Sequence, residues 1–214
     1  MFGNRLNDPS VTEQALVYME EKYGEVFTFA APWGDSTRGT REILVTCESI
    51  PGQRILVQVE NFREEDKIFR DNYLAVKYRE QTVEFFRSCA GDFYTDVNIH
   101  YDVRPDGQSG ELSAQASFEE VMADSRTDLV VLMELRAGEF TGPEHLEEIA
   151  ARIGKLCRKV SLSVIVVEDG VFGTLDRAGL NRCISRREFV QRGVVYIHGD
   201  NVTIDWVSEG IGNE

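Results

Sequence analysis

Nowhere is this chain apolar for the ~18 residues that a membrane-crossing helix needs. Its longest apolar runs, Leu129 to Met133 and Val164 to Val167, have the length of strands. Basic charge is also scarce: 23 Lys and Arg face 37 Asp and Glu, a net charge of −14. A surface of that sign repels phosphate backbones, whose attraction for cations dominates non-specific nucleic-acid binding. Nucleic acid and anionic membranes are therefore excluded as expected partners. The four cysteines, Cys47, Cys89, Cys157 and Cys183, are scattered without a CxxC or a short Cys/His spacing, so no zinc site is expected. In a chain this long they are expected to be buried or partly buried free thiols. Met1 to Asp8 has neither an apolar stretch nor a cleavage site, so the chain as it stands reads without a signal peptide. Removal of such a segment would leave the same sequence, so an extracytoplasmic and a cytoplasmic home both stay open.

Catalytic signatures are equally sparse. There is no G-x-S-x-G, P-loop, G-x-G-x-x-G or H-E-x-x-H, and the sequence predicts no cofactor and no metal. Of three histidines, His100 lies on the polar side of an alternating strand between Asn98 and Asp102. It is expected on a solvated face, although a carboxylate partner would make it a base or a ligand. His145 sits among Glu144, Glu147 and Glu148 in a first helical turn, where acidic residues complement the helix dipole. His198 abuts a hairpin turn.

What is present is an ordinary globular pattern, 42% hydrophobic and 28% charged. Asp8-Pro9, or Ser10 with Glu13, opens a helix carrying Leu16, Met19 and Tyr23, and Gly24 stops it. Three strands follow: Glu25 to Ala31, Glu42 to Glu48 and Arg54 to Glu60. Pro51-Gly52 supplies a type II turn between the last two. The spacing of Phe69, Tyr73, Val76, Val83 and Phe86 predicts one long helix from Glu65 to Ala90. A strand with strict alternation runs from Phe93 to Val103. In the second half, Asp128 to Arg136 and Ser161 to Glu168 are near-continuous apolar strands. Thr141-Gly142-Pro143 opens a helix between them, which makes a βαβ unit. Ser185 and Glu188 mark a capping box for a short helix. The end is a hairpin turning at Gly199-Asp200-Asn201. The predicted class is α+β: an antiparallel meander with helices in the N-terminal half, and a βαβ unit plus terminal hairpin in the C-terminal half. Residues 1–103 and 115–214 form its two units, sharing one core or standing as two lobes, with 104–114 as linker.

Two features point to binding. Ala31 to Gly39 is a loop between strands that carries Trp33 and Arg38, and exposed Trp and Arg are favoured interface anchors. Arg177, Arg182, Arg186, Arg187 and Arg192 form a basic island in an acidic chain. Near a helix N-terminus, such arginines would hold a small anionic ligand.

Tyr18 to Phe27 reads YMEEKYGEVF and Phe69 to Tyr78 reads FRDNYLAVKY. This pairing of KYGE-x-F with F-x-DNY-x-x-x-KY resembles small uncharacterised bacterial proteins, many of them lipoproteins or otherwise exported. The likeness covers the first half of the chain and brings no catalytic residue with it. It implies a non-catalytic binding or interaction module of the bacterial cell envelope, with a protein or a small anionic ligand as partner. The alternative is a hydrolase-type enzyme whose site is assembled from distant residues.

Overall fold

Pro9 begins the first helix, α1 (Pro9–Tyr23), where its fixed φ and missing N–H cost nothing. Gly24 ends it at φ +70°, with its N–H on the Glu20 carbonyl. Val11, Ala15 and Met19 are the buried line of this helix. The computed structural model describes residues 9–35, 39–103, 112–140, 142 and 144–207.

The chain divides into two compact units. One comprises residues 1–78 and 103–117, the other 79–102 and 118–214. In the first unit α1 is followed by β1 (Phe27–Asp35), β2 (Arg41–Cys47), β3 (Ile55–Glu60) and β4 (Ile68–Asp71). These make a four-stranded antiparallel sheet in the order β1-β2-β3-β4. Pro51 and Gly52, the latter at φ +76°, form the expected turn, closed by Gln53 N–H on the Ile50 carbonyl. The short helix α2 (Tyr73–Lys77) completes the unit.

The long helix predicted from Glu65 to Ala90 is not continuous. Its start is strand β4, with Phe69 opposite Val59 and Asp71 opposite Val57. Asn72 then bonds Leu56 through both its N–H and its side-chain oxygen. Helix resumes in α2 and in α3 (Arg79–Ala90). The spacing of Phe69, Tyr73 and Val76 suits a helix, but the open edge of β3 captures the first of them. Pairing with a neighbour overrides local periodicity here.

In the second unit, α3 precedes β5 (Val97–Val103), α4 (Phe118–Ala123), β6 (Leu129–Arg136), α5 (Glu144–Gly154), β7 (Lys159–Val167), α6 (Arg177–Arg186), β8 (Gln191–His198) and β9 (Asn201–Val207). The strands form one sheet in the order β5-β6-β7-β8-β9. β6 and β7 are parallel, as a βαβ unit requires, and β8 and β9 continue the sheet antiparallel. The fold is thus α+β. The expected boundary at residue 103 is displaced, because β5 pairs into the second sheet beside β6. Alternation in a strand shows that it pairs and not with what.

Leu129, Val131, Met133 and Leu135 are buried on one face of β6, and Leu132 and Glu134 on the other, so this strand is covered on both sides. Leu132 packs with Ile165, Val167, Leu180 and Phe189 in one apolar cluster. The four cysteines are free, with Cys47 partly exposed and the other three buried. Among the described residues no helix is long and apolar enough to cross a membrane.

Candidate functional site

The segments Tyr18 to Phe27 and Phe69 to Tyr78 meet around one buried carboxylate. Asp71, with no exposed surface, accepts hydrogen bonds from the Tyr18 hydroxyl (2.8 Å), the Tyr23 hydroxyl (2.7 Å) and the backbone N–H of Tyr73 (2.9 Å). It also pairs with Lys22 Nζ at 2.7 Å. The rings follow: Tyr18 stacks on Phe69 with centroids 5.1 Å apart, and Tyr23 lies 4.2 Å from Tyr73. Burial and the neighbouring Asp71 charge raise both the Tyr18 and the Tyr23 phenol, so both stay protonated donors. These residues hold α1 against the sheet.

The network continues outward. The Tyr73 hydroxyl donates to Glu25 and lies 3.2 Å from Ser49 Oγ, which is 3.4 Å from Cys47 Sγ. Burial alone would raise Glu25, but bonds from Tyr73, Ser49 and Cys47 outweigh it and hold the carboxyl below its usual value. The same pair pushes Tyr73 up to about 12, through burial first and the bond to Glu25 second. Glu25 and Cys47 open into a groove of about 610 Å³, walled by Val26, Thr28, Glu48 and Pro51. A second groove, of about 470 Å³, runs between α1 and β4 and is lined by Glu13, Gln14, Val17, Tyr18, Glu21 and Phe69.

Trp33 lies within β1, not in a loop, because that strand extends to Asp35. It is 62% exposed on the edge strand of its sheet, with Phe29 (41%) and Val26 (74%) also exposed. Register shifts between Phe29 and Ala31 and between Pro32 and Gly34 interrupt the ladder to β2. Bulges and a proline guard an edge against further strands. What this edge offers is therefore side chains more than a backbone ladder. Arg38, the other expected anchor of this segment, lies outside the described residues.

The arginine island is not gathered at a helix N-terminus. Arg177 opens α6, behind the N-cap Asp176, whereas Arg182 and Arg186 lie in its later turns and Arg187 is its left-handed C-cap. All three of the latter are exposed. Cations there complement the negative end of the helix dipole, which is a sufficient reason for their presence. Arg187 N–H reaches the Ile184 carbonyl and Glu188 N–H the Cys183 carbonyl, the pattern that ends a helix. The Ser185/Glu188 pair thus marks a stop and not a start.

His100 is likewise not on a wet face. Its side chain is 16% exposed, and its Nε2 lies 3.6 Å from Oε2 of the fully buried Glu134. Asn98 Nδ2 donates to the same oxygen at 2.8 Å, and Gly173 N–H to Oε1 at 3.1 Å. Burial raises Glu134, but these donors outweigh it and keep the carboxyl below its usual value. The signal for this cluster was a lone Glu inside the apolar run Leu129 to Arg136. A carboxylate with its acceptors so occupied anchors the loop at Gly173 to β5 and β6. Among the described residues no three His, Cys, Asp or Glu side chains are grouped to hold a metal ion.

No family model matches this chain, and no curated protein matches it in sequence. In structure it is similar to the crystal structure of a DUF5037 family protein from Ruminococcus gnavus ATCC 29149. The TM-score is 0.50 at 13% identity, over 91% of this chain and 94% of that one. At that identity the likeness shows a shared fold and nothing of chemistry.

Proposed function

We propose that the protein is a non-catalytic interaction module that engages a protein partner through its first unit. The observation that carries this reading is where exposed apolar side chains fall. Of the seven large ones among the described residues, Val17, Val26, Phe29, Trp33 and Ile68 belong to the first unit, and Tyr196 and Val202 to the second. Leaving a Trp 62% exposed forgoes the burial that makes it valuable in a core, and Trp is enriched among the residues that dominate interfaces. The motif resemblance supports a place in the bacterial cell envelope.

The test is site-specific photo-crosslinking in the protein's own cells. A photoreactive residue replacing Phe29 should yield a discrete adduct, at least about tenfold weaker when Trp33→Ala is added. The same probe at Tyr196 should yield none. Equal adducts at both positions, or an adduct at 29 indifferent to Trp33→Ala, would refute the reading. Recovery of the protein in the soluble cytoplasmic fraction would refute the envelope assignment alone.

A further inference from the structure

We propose that the groove between α1 and β4 is a docking site for a cationic amphipathic helix of a partner protein. The geometry of α1 sets it up. Its buried line is Val11, Ala15 and Met19, four residues apart. Glu13, Val17 and Glu21 repeat the same spacing two residues later, about 200° around the helix and so turned outward. Val17 is half exposed, and Tyr18 and Phe69 stack beside it as the apolar floor. The two glutamates stand about 12 Å apart along the axis with Val17 midway.

Charge decides the occupant. Of the nearby cations, Lys22 is turned inward to Asp71 at 2.7 Å, and Arg70, which lies close enough to act on Tyr18, is paired with Glu60 at 3.0 Å, so neither is engaged by the rim. Among the described residues neither Glu13 nor Glu21 has an ion-pair partner. The apolar floor therefore carries an uncompensated acidic border, on a chain whose net charge of −14 draws cations from a distance. A helix presenting one large apolar side chain, with Lys or Arg about two turns apart on either side, matches both the floor and the span of the border. A second copy of this chain would bring like charge. This site differs from the Trp33 edge and rests on the interaction reading only in placing binding on the first unit.

The test uses the full chain and three labelled peptides: a helical Leu/Lys amphipath, the same pattern with Glu for Lys, and a scrambled Leu/Lys peptide without an apolar face. The first should bind and the other two should not. Val17→Asn, which alters the floor without altering charge, should weaken binding at least about tenfold. Glu13→Gln with Glu21→Gln should weaken it by a similar factor and flatten its salt dependence. Glu147→Gln with Glu148→Gln, exposed acids of α5, should change it less than about twofold. Circular dichroism of each variant confirms folding. The inference is overturned by no binding of the amphipath, by binding indifferent to Val17→Asn, or by equal losses in the two double variants, which would reduce the effect to net charge. Self-association abolished by Val17→Asn would assign the groove to a second copy and overturn it too. Trp33→Ala should leave the peptide affinity unchanged, so loss of this site and loss of the Trp33 reading are separate outcomes.

Discussion

Asp71 in the first unit and Glu134 in the second are both carboxylates with no exposed surface, each in a strand, and they are answered in different ways. Asp71 receives a full cation from Lys22, two phenols and a backbone N–H. Glu134 receives an amide, a backbone N–H and, at 3.6 Å, an imidazole. The first set offsets a buried charge with an opposite one, and the second offsets it with the dipoles of an amide, a backbone N–H and a neighbouring imidazole. They also differ in where their partners come from. Those of Asp71 lie in two short stretches, Tyr18 to Tyr23 and Asp71 to Tyr73, so the cluster leaves a recognisable motif. Those of Glu134 come from β5 and from the loop after β7, and no local pattern records them.

Removing the better-balanced charge should do the most damage. Asp71→Ala leaves Lys22 and the phenols of Tyr18 and Tyr23 without their shared acceptor, and should cost about 3–5 kcal/mol. Urea unfolding followed by midpoint at unchanged slope measures this. A cost below about 1 kcal/mol would show that the network is dispensable and the comparison empty.

Glu134→Gln keeps the shape and part of the hydrogen bonding, and should cost about 1–3 kcal/mol at neutral pH. Its sharper consequence is in pH dependence. The folded carboxyl is held below its ordinary, unfolded value, so its contribution is present above that value and is lost as pH falls through the folded value. Wild type should therefore lose stability on the acid side faster than the variant, and the two curves should converge as pH drops. Parallel curves would mean that the carboxyl titrates alike folded and unfolded.

The smallest effect belongs to the proposed contact residue. Trp33→Ala should cost less than about 1 kcal/mol, against about 3–5 for a buried aromatic. A loss near the larger figure would place Trp33 in the packing of the first unit and remove the interaction reading's main residue.

Much of the fold was legible because local rules agreed with the final structure. Helix α1, the Pro51-Gly52 turn, the parallel β6-α5-β7 unit and the terminal hairpin each carried their own start, stop or turn chemistry. The errors lie where a distant partner intervened. Phe69 fits a helical stripe equally well and was claimed by β3. His100 and Asn98 read as a wet face until Glu134 and the Gly173 loop covered them. Trp33 was legible as a candidate, while the Glu13, Val17 and Glu21 line was not, since a helix's outward face is known only once its inward face is.

Composition and short-range periodicity were sufficient for the α+β class, the acidic net charge, the bounds of α1 and the Pro51-Gly52 and terminal hairpin turns, because those follow from side-chain charge, φ preference and the spacing of apolar residues along one element. Tertiary structure alone assigned β5 to the second sheet, gathered two motifs around Asp71, buried Glu134 and left an acid-rimmed apolar groove beside α1. Each of these depends on contacts between residues far apart in the chain, and strand alternation or helical spacing is compatible with many partners until one of them is met.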